Sequence, residues 1–257
     1  MPEISAAQLI AAGIRNQYGM KDDARTASIE GHSDYDFAKS LRGFGPTGIT
    51  AILVVLLTGN LMVGSTMLVI PAGAILVLVW KRLSQTPWPE LGYARPRNWI
   101  ITIGVGLVFG VSFKLLMKAL VMPLFGADPI NRPYHFLAGN QNMLPTAIWA
   151  MCAAGFGEET VFRGFLFERL GKLLGQSIAA TIVIVTATSI AFGLAHFTNL
   201  GLTGVEQAII TGVAFGTIFA ITRRIWMIMI AHAAFDLTAL ALIYWNLETR
   251  VAHFFFK

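Results

Sequence analysis

Gly157-Glu158-Glu159-Thr160-Val161-Phe162-Arg163-Gly164 sets three charges inside an apolar stretch, 144–167, that is long enough to span a bilayer. Each charge at mid-membrane costs roughly 2.5–3.5 kcal/mol on insertion scales, so such a cluster calls for a use. Two later apolar stretches carry histidines: His196 in Phe192-Gly193-Leu194-Ala195-His196, and His232 in His232-Ala233-Ala234-Phe235-Asp236. Carboxylates and imidazoles on lipid-spanning helices point to a catalytic chamber within the membrane.

Composition sets the class. Of 257 residues, 55% are hydrophobic and 13% charged, with a mean hydropathy of +0.64. A soluble domain is about 25% charged, so this chain lacks the polar surface to face water all round. The long apolar runs do not alternate, which excludes a β-barrel and leaves an all-α, polytopic transmembrane bundle. The sequence pI near 9.6 does not imply nucleic acid. Lys and Arg gather in short loops between spans, as the positive-inside rule expects. A single cysteine, Cys152, excludes an intrachain disulfide and a cysteine-rich metal site; it reads as a small packing residue.

Residues 1–45 form a polar leader without the early apolar core of a signal peptide. Its start, with Leu9, Ile10 and Ile14, suits one weakly amphipathic helix, and Gly43, Gly45 and Pro46 mark the junction with a membrane domain, 46–257. Apolar segments follow at about 47–80, 99–123, 144–167, 177–197, 204–222 and 225–246. The first is long for one span and short for two. Basic residues flank it on both sides (Arg15, Lys21, Arg25, Lys39 and Arg42 before; Lys81, Arg82, Arg95 and Arg97 after), which demands an even number of crossings. Two short spans turning near Gly59-Asn60 give about seven in all, six to eight being possible. The N-terminus is then cytoplasmic, in the cell membrane, with Arg169 and Lys172 in an inner loop and 126–143 outside.

The spacing assigns partners. Glu159 and Arg163 stand i, i+4 with the acid first, the favourable order, and read as an internal ion pair. Glu158, about 100° away on the helix, has no local partner and suits a general base for water. His232 and Asp236 are again i, i+4, so the carboxylate can fix the imidazole tautomer. Ser189, Phe192 and His196 share a stripe that faces one neighbour. Glu158, His196, His232 and Asp236 therefore suit either a divalent metal such as zinc or a metal-free site in which glutamate and one histidine activate water.

Depth is the difficulty. At about 1.5 Å per residue, Glu158 lies roughly 15–18 Å from the loop at Arg169 and His232 roughly 12 Å from Arg224, but His196 roughly 24–29 Å from a helix start near Ser177. An interfacial segment at 172–177 would reconcile them. Lys114 and Lys118, i, i+4, are the other intramembrane charges. Lys118 is expected to snorkel to the outer interface, whereas Lys114 is deeper and suits a substrate carboxylate or an acidic partner helix.

Glu158-Glu159-x3-Arg163, Phe192-x3-His196 and His232-x3-Asp236 together resemble, in order, the three signatures of the CAAX prenyl protease and bacteriocin-processing family of intramembrane endopeptidases. Gly164 and the Trp88-Pro89-Glu90-Leu91-Gly92 stretch resemble the family too. The likeness covers roughly 145–245 well and 85–125 weakly. It implies that Glu158 activates water, that Glu159 and Arg163 support it, that His196 is a co-catalyst or ligand, and that His232 with Asp236 supports the oxyanion. Asp236 stands where the family often has Asn; an ionised carboxylate there would repel an oxyanion unless protonated, paired or metal-bound. The implied partners are the bilayer and a protein or peptide substrate. His-Glu-x-x-His, Gly-x-Ser-Gly and paired intramembrane aspartates are absent. A non-proteolytic scaffold or immunity-type protein of the same fold is the alternative, and a proton-coupled carrier a third reading, disfavoured by the lack of an inverted repeat.

Overall fold

The computed structural model describes residues 35–58, 62–64 and 69–256, so the amphipathic helix expected around Leu9, Ile10 and Ile14 lies outside the described residues. Helix α1 (Tyr35–Arg42) meets α2 (Pro46–Leu57) at a 60° bend across the Gly43–Gly45 junction, with Pro46 in the first turn of α2, where its missing N–H costs nothing. The end of the leader packs on the bundle: Leu41 is buried, and its carbonyl accepts from Trp80 Nε1 at 3.2 Å.

The 47–80 segment divides, as its length and Gly59-Asn60 imply, into α2 and α3 (Ala72–Leu83). Between them runs a short antiparallel ribbon, β1 (Met62–Gly64) with β2 (Val69–Pro71), a local element in an otherwise all-α bundle. At 12 residues each, α2 and α3 are about 18 Å long, well short of a 30 Å hydrocarbon core. Non-helical backbone inside a membrane protein must be shielded by protein. Pro71 meets that need by packing on the helix that carries Gly157, where a Cβ would lie 2.3 Å from Pro71 Cγ.

After a 3₁₀ turn at Trp88–Leu91 comes α4, Trp99–Leu124, which contains a π-helical stretch at Met117–Val121. Helix α5 begins as Leu144–Glu159, widens to π geometry over Thr160–Leu166 and continues as Phe167–Leu174. Then follow α6 (Ile178–Ala195), α7 (Phe197–Thr222, broken at Gly201), α8 (Trp226–Tyr244) and the short α9 (Glu248–Ala252). Length and composition mark four membrane-crossing helices among the described residues, α4, α6, α7 and α8, or five if α1 and α2 form one bent span. The seven expected from loop charges also counted α5 and two spans in 47–80. Helix α5 is set apart by its charges, which face protein rather than lipid: Glu159, Arg163 and Arg169 are all buried.

Small residues bring the helices together. On α4, Gly106 and Gly110 lie against α8, and a Cβ at Gly110 would sit 2.1 Å from the Ala231 carbonyl oxygen. On α5, Gly155 meets the Ala233 backbone; between α6 and α7, Gly212 meets Ser189. Without a hydrophobic drive between helices in lipid, such close backbone approach is what dispersion packing requires.

The depth problem has a geometric answer. Arg169 is not in a loop; it lies inside helix α5, buried, paired with Glu168 and donating to the Arg42 carbonyl at 2.6 Å. The helix runs on to Leu174, and α6 starts at once with Ser177 as its N-cap, so no separate interfacial segment intervenes. The ends of α5 and α6 thus project beyond the start of α8. Phe167, Val185, Phe219, Ile225 and Ile228 form one apolar layer. Counted from that layer the climbs are nine residues to Glu158, eleven to His196 and four to seven to His232, a narrower spread than the loop positions imply.

Lys118 reaches the 126–143 loop. Its ammonium donates to the Pro129 carbonyl and pairs with Glu248 Oε1 at 3.2 Å. The buried Glu248 of α9 also accepts from Asn131 N at 3.0 Å, which ties α9 to the same loop.

Gly110→Val should lower the thermal unfolding midpoint in detergent, since overpacking of this kind costs about 1–3 kcal/mol. Gly104→Val, where a Cβ meets open space, should leave the midpoint unchanged in the same fluorescence melt.

Candidate active site

The π-helical widening starts directly after Glu159, and wide turns of this kind recur at functional sites. Thr160 closes the turn by donating to the Phe156 carbonyl at 2.8 Å, and its hydroxyl also meets Tyr93 Oη at 2.6 Å. That contact docks the Trp88–Leu91 turn against α5. Gly92, with φ of 82°, lets the turn pass under Phe219 and Ile225, where a Cβ would lie 2.4 Å from the Phe219 ring.

The two glutamates separate as their helical angle requires. Glu159 is fully buried, and Arg163 Nη1 donates to its Oε1 at 3.0 Å, the ion pair expected from the spacing. Arg163 Nη2 reaches across to the Gly212 carbonyl at 3.2 Å, and the guanidinium stacks over Phe192 at 4.7 Å. A partner not legible in the spacing is His232: its Nδ1 lies 2.7 Å from the same Glu159 oxygen. So Glu159, rather than Asp236, fixes the His232 ring, with Nδ1–H donating to a carboxylate.

The other ring nitrogens face Glu158. His232 Nε2 stands 3.7 Å from Glu158 Oε2 and 3.7 Å from Asp236 Oδ2. His196, at the α6–α7 junction, lies 2.8 Å from the Phe192 carbonyl through Nδ1, which points Nε2 toward Glu158 Oε2 at 3.9 Å. These gaps exceed a direct hydrogen bond and match the reach of one bridging water. All six residues singled out in the sequence thus meet around α5, with Glu158, His196, His232 and Asp236 on the cavity and Glu159 and Arg163 behind it.

The cavity measures about 240 Å³. Its wall includes groups that sequence spacing did not flag, Tyr134, Asn199 and Gln207, and the deep Lys114. Their only sequence signal is polarity beside or within apolar segments. Tyr134 comes from the 3₁₀ segment Arg132–Leu137, and burial, then the Asp236 and Glu158 charges, push its phenol up, which keeps the hydroxyl a donor. Among the described residues, no group of three His, Cys, Asp or Glu side chains stands at metal-ligand geometry, and Glu158, His196, His232 and Asp236 are the N/O donors that share the cavity.

Residues 140–238 match the model of the family described as type II CAAX prenyl endopeptidase Rce1-like, in agreement with the resemblance of the three motifs. The matched stretch contains every motif residue from Glu158 to Asp236. No curated protein and no solved structure gives a significant match.

Arg163→Met leaves the buried Glu159 with His232 as its one remaining side-chain contact among the described residues, and the expected loss is up to about 3–5 kcal/mol. Glu159→Gln combined with Arg163→Met should recover much of it. Chemical denaturation in mixed micelles compares the two; an equal loss in both would contradict the ion pair as a stability element.

Proposed function

We propose, from the type II CAAX endopeptidase match over residues 140–238, that this membrane protein is an intramembrane endopeptidase whose water-activating base is Glu158. The observation that carries the proposal is the convergence of the His196 and His232 Nε2 atoms on one oxygen of Glu158, at 3.9 and 3.7 Å, inside a cavity. A water held among these atoms loses a proton to Glu158 as its oxygen attacks the scissile carbonyl carbon. His196 Nε2 orients that water. The proton then passes from Glu158 to the leaving amine as the C–N bond breaks, giving an acid and an amine with no co-reactant but water.

The oxyanion needs a donor. His232 in its imidazolium form supplies Nε2–H, because Nδ1 is committed to Glu159. The nearby Asp236 stabilises that cation and is itself neutralised by it, which answers the repulsion an isolated carboxylate would exert. Glu159 and Arg163 are positioning residues: Arg163 holds Glu159, and Glu159 holds the ring. The substrate is a membrane-associated protein or peptide; nothing in the motifs requires a prenyl group.

The test is cleavage of an apolar peptide library by the purified protein, read by mass spectrometry of the products. Glu158→Ala and His196→Ala should each reduce the rate by about 10²–10⁴-fold, the usual worth of positioned acid–base groups. Undiminished cleavage by either variant rejects the assignment.

A further inference from the structure

Buried cations in this bundle come with their own carboxylates: Arg163 with Glu159, Arg169 with Glu168, Lys118 with Glu248. Lys114 is the exception. It is 6% exposed, yet among the described residues it forms no ion pair. Its ammonium donates to the neutral Gln207 Oε1 at 3.1 Å and lies over the Phe235 ring at 4.5 Å. Asp236 is on the same cavity wall but lies 3.7 Å from His232 Nε2 and makes no ion pair with Lys114. An ammonium taken out of water with no carboxylate in direct contact is costly, and an arriving anion lowers that cost.

Its position says which anion. Lys114 and Gln207 line both the cavity that holds Glu158 and a second one of about 200 Å³ reaching toward the 126–133 loop. The two cavities share Asn131, Leu200 and Gly204 as well, so they adjoin. An extended peptide threaded through both would pass Lys114 on its way to Glu158. One ammonium beside one amide suits a carboxylate; a phosphate calls for more donors.

We propose that Lys114 and Gln207 form a subsite that binds a carboxylate of the substrate, displaced along the peptide from the bond facing Glu158. The carboxylate is either the peptide's own C-terminus or an Asp or Glu side chain. The assignment rests on the endopeptidase reading for its substrate but is testable without turnover.

The experiment measures fluorescence anisotropy of fluorescein-labelled leucine–alanine octapeptides on full-length Glu158→Gln protein in phosphatidylcholine nanodiscs. Three probes are compared: a free acid, its C-terminal amide, and the amide with one internal glutamate. The free acid should bind at least about tenfold tighter than the plain amide, as expected of a charge-assisted contact. Tight binding of the glutamate probe instead assigns the subsite to a side chain. Lys114→Met should erase the preference while leaving the plain amide's affinity unchanged, and Lys114→Arg should retain it. Gln207→Leu, which should weaken the preference, covers the case in which Lys114→Met does not fold. A parent protein that does not distinguish the acidic probes from the plain amide overturns the proposal. So does a Lys114→Met variant that weakens all three equally, since that is the mark of a structural lysine. Carboxylate-selective binding in a protein that cleaves no peptide would remove the endopeptidase reading and leave the subsite standing.

Discussion

A single buried carboxylate oxygen, Glu159 Oε1, receives both the Arg163 guanidinium from its own helix and the His232 imidazole from α8. Arg163 extends the link to the Gly212 carbonyl on α7. Three helices are therefore tied by contacts whose parts are each costly alone, because an ion out of water must be paired or neutralised. The cost is what makes the arrangement specific: rotating any one helix leaves a charge stranded in protein. Lipid offers no polar substitute, unlike the water around a soluble domain.

That anchor leaves Glu158 free. Adjacent residues on a helix diverge by about 100°, so fixing Glu159 inward turns Glu158 to the cavity wall. The pair behaves as one device, with one half fully buried and the other, proposed as the base, 12% exposed on its side chain. His196 arrives from a helix end, held by the Phe192 carbonyl of its own last turn. Its ring depends on α6 stopping at Ala195, whereas His232 depends on a partner far away in sequence.

Much of this was legible in the residues, and the gaps have physical causes. Spacing of four along a helix gave the Glu159–Arg163 pair, because i, i+4 geometry is local. The same rule overvalued Asp236 as the partner that orients His232; the nearer acceptor belongs to another helix, and no spacing reports contacts between helices. Arg169 was placed in a loop by a rule for charges seeking water, which fails once a buried carboxylate such as Glu168 competes. The β1–β2 ribbon was hidden because short apolar runs carry no period that separates strand from helix. The two halves of 47–80 were visible, since a glycine–asparagine break interrupts them.

Phe167, Val185 and Ile225 belong to one apolar cluster that joins the three arms of the site beneath the cavity. Chain length above that level carries meaning, and length below it does not. Losing one residue between Glu158 and Phe167 would turn the acidic pair by about 100° and drop it about 1.5 Å, presenting the wrong carboxylate to the imidazoles. Lengthening the tip at Gly175, a hairpin end whose added Cβ meets nothing, would leave that length untouched. Natural length variation in this architecture should accordingly collect at that tip and spare the nine residues beneath Glu158.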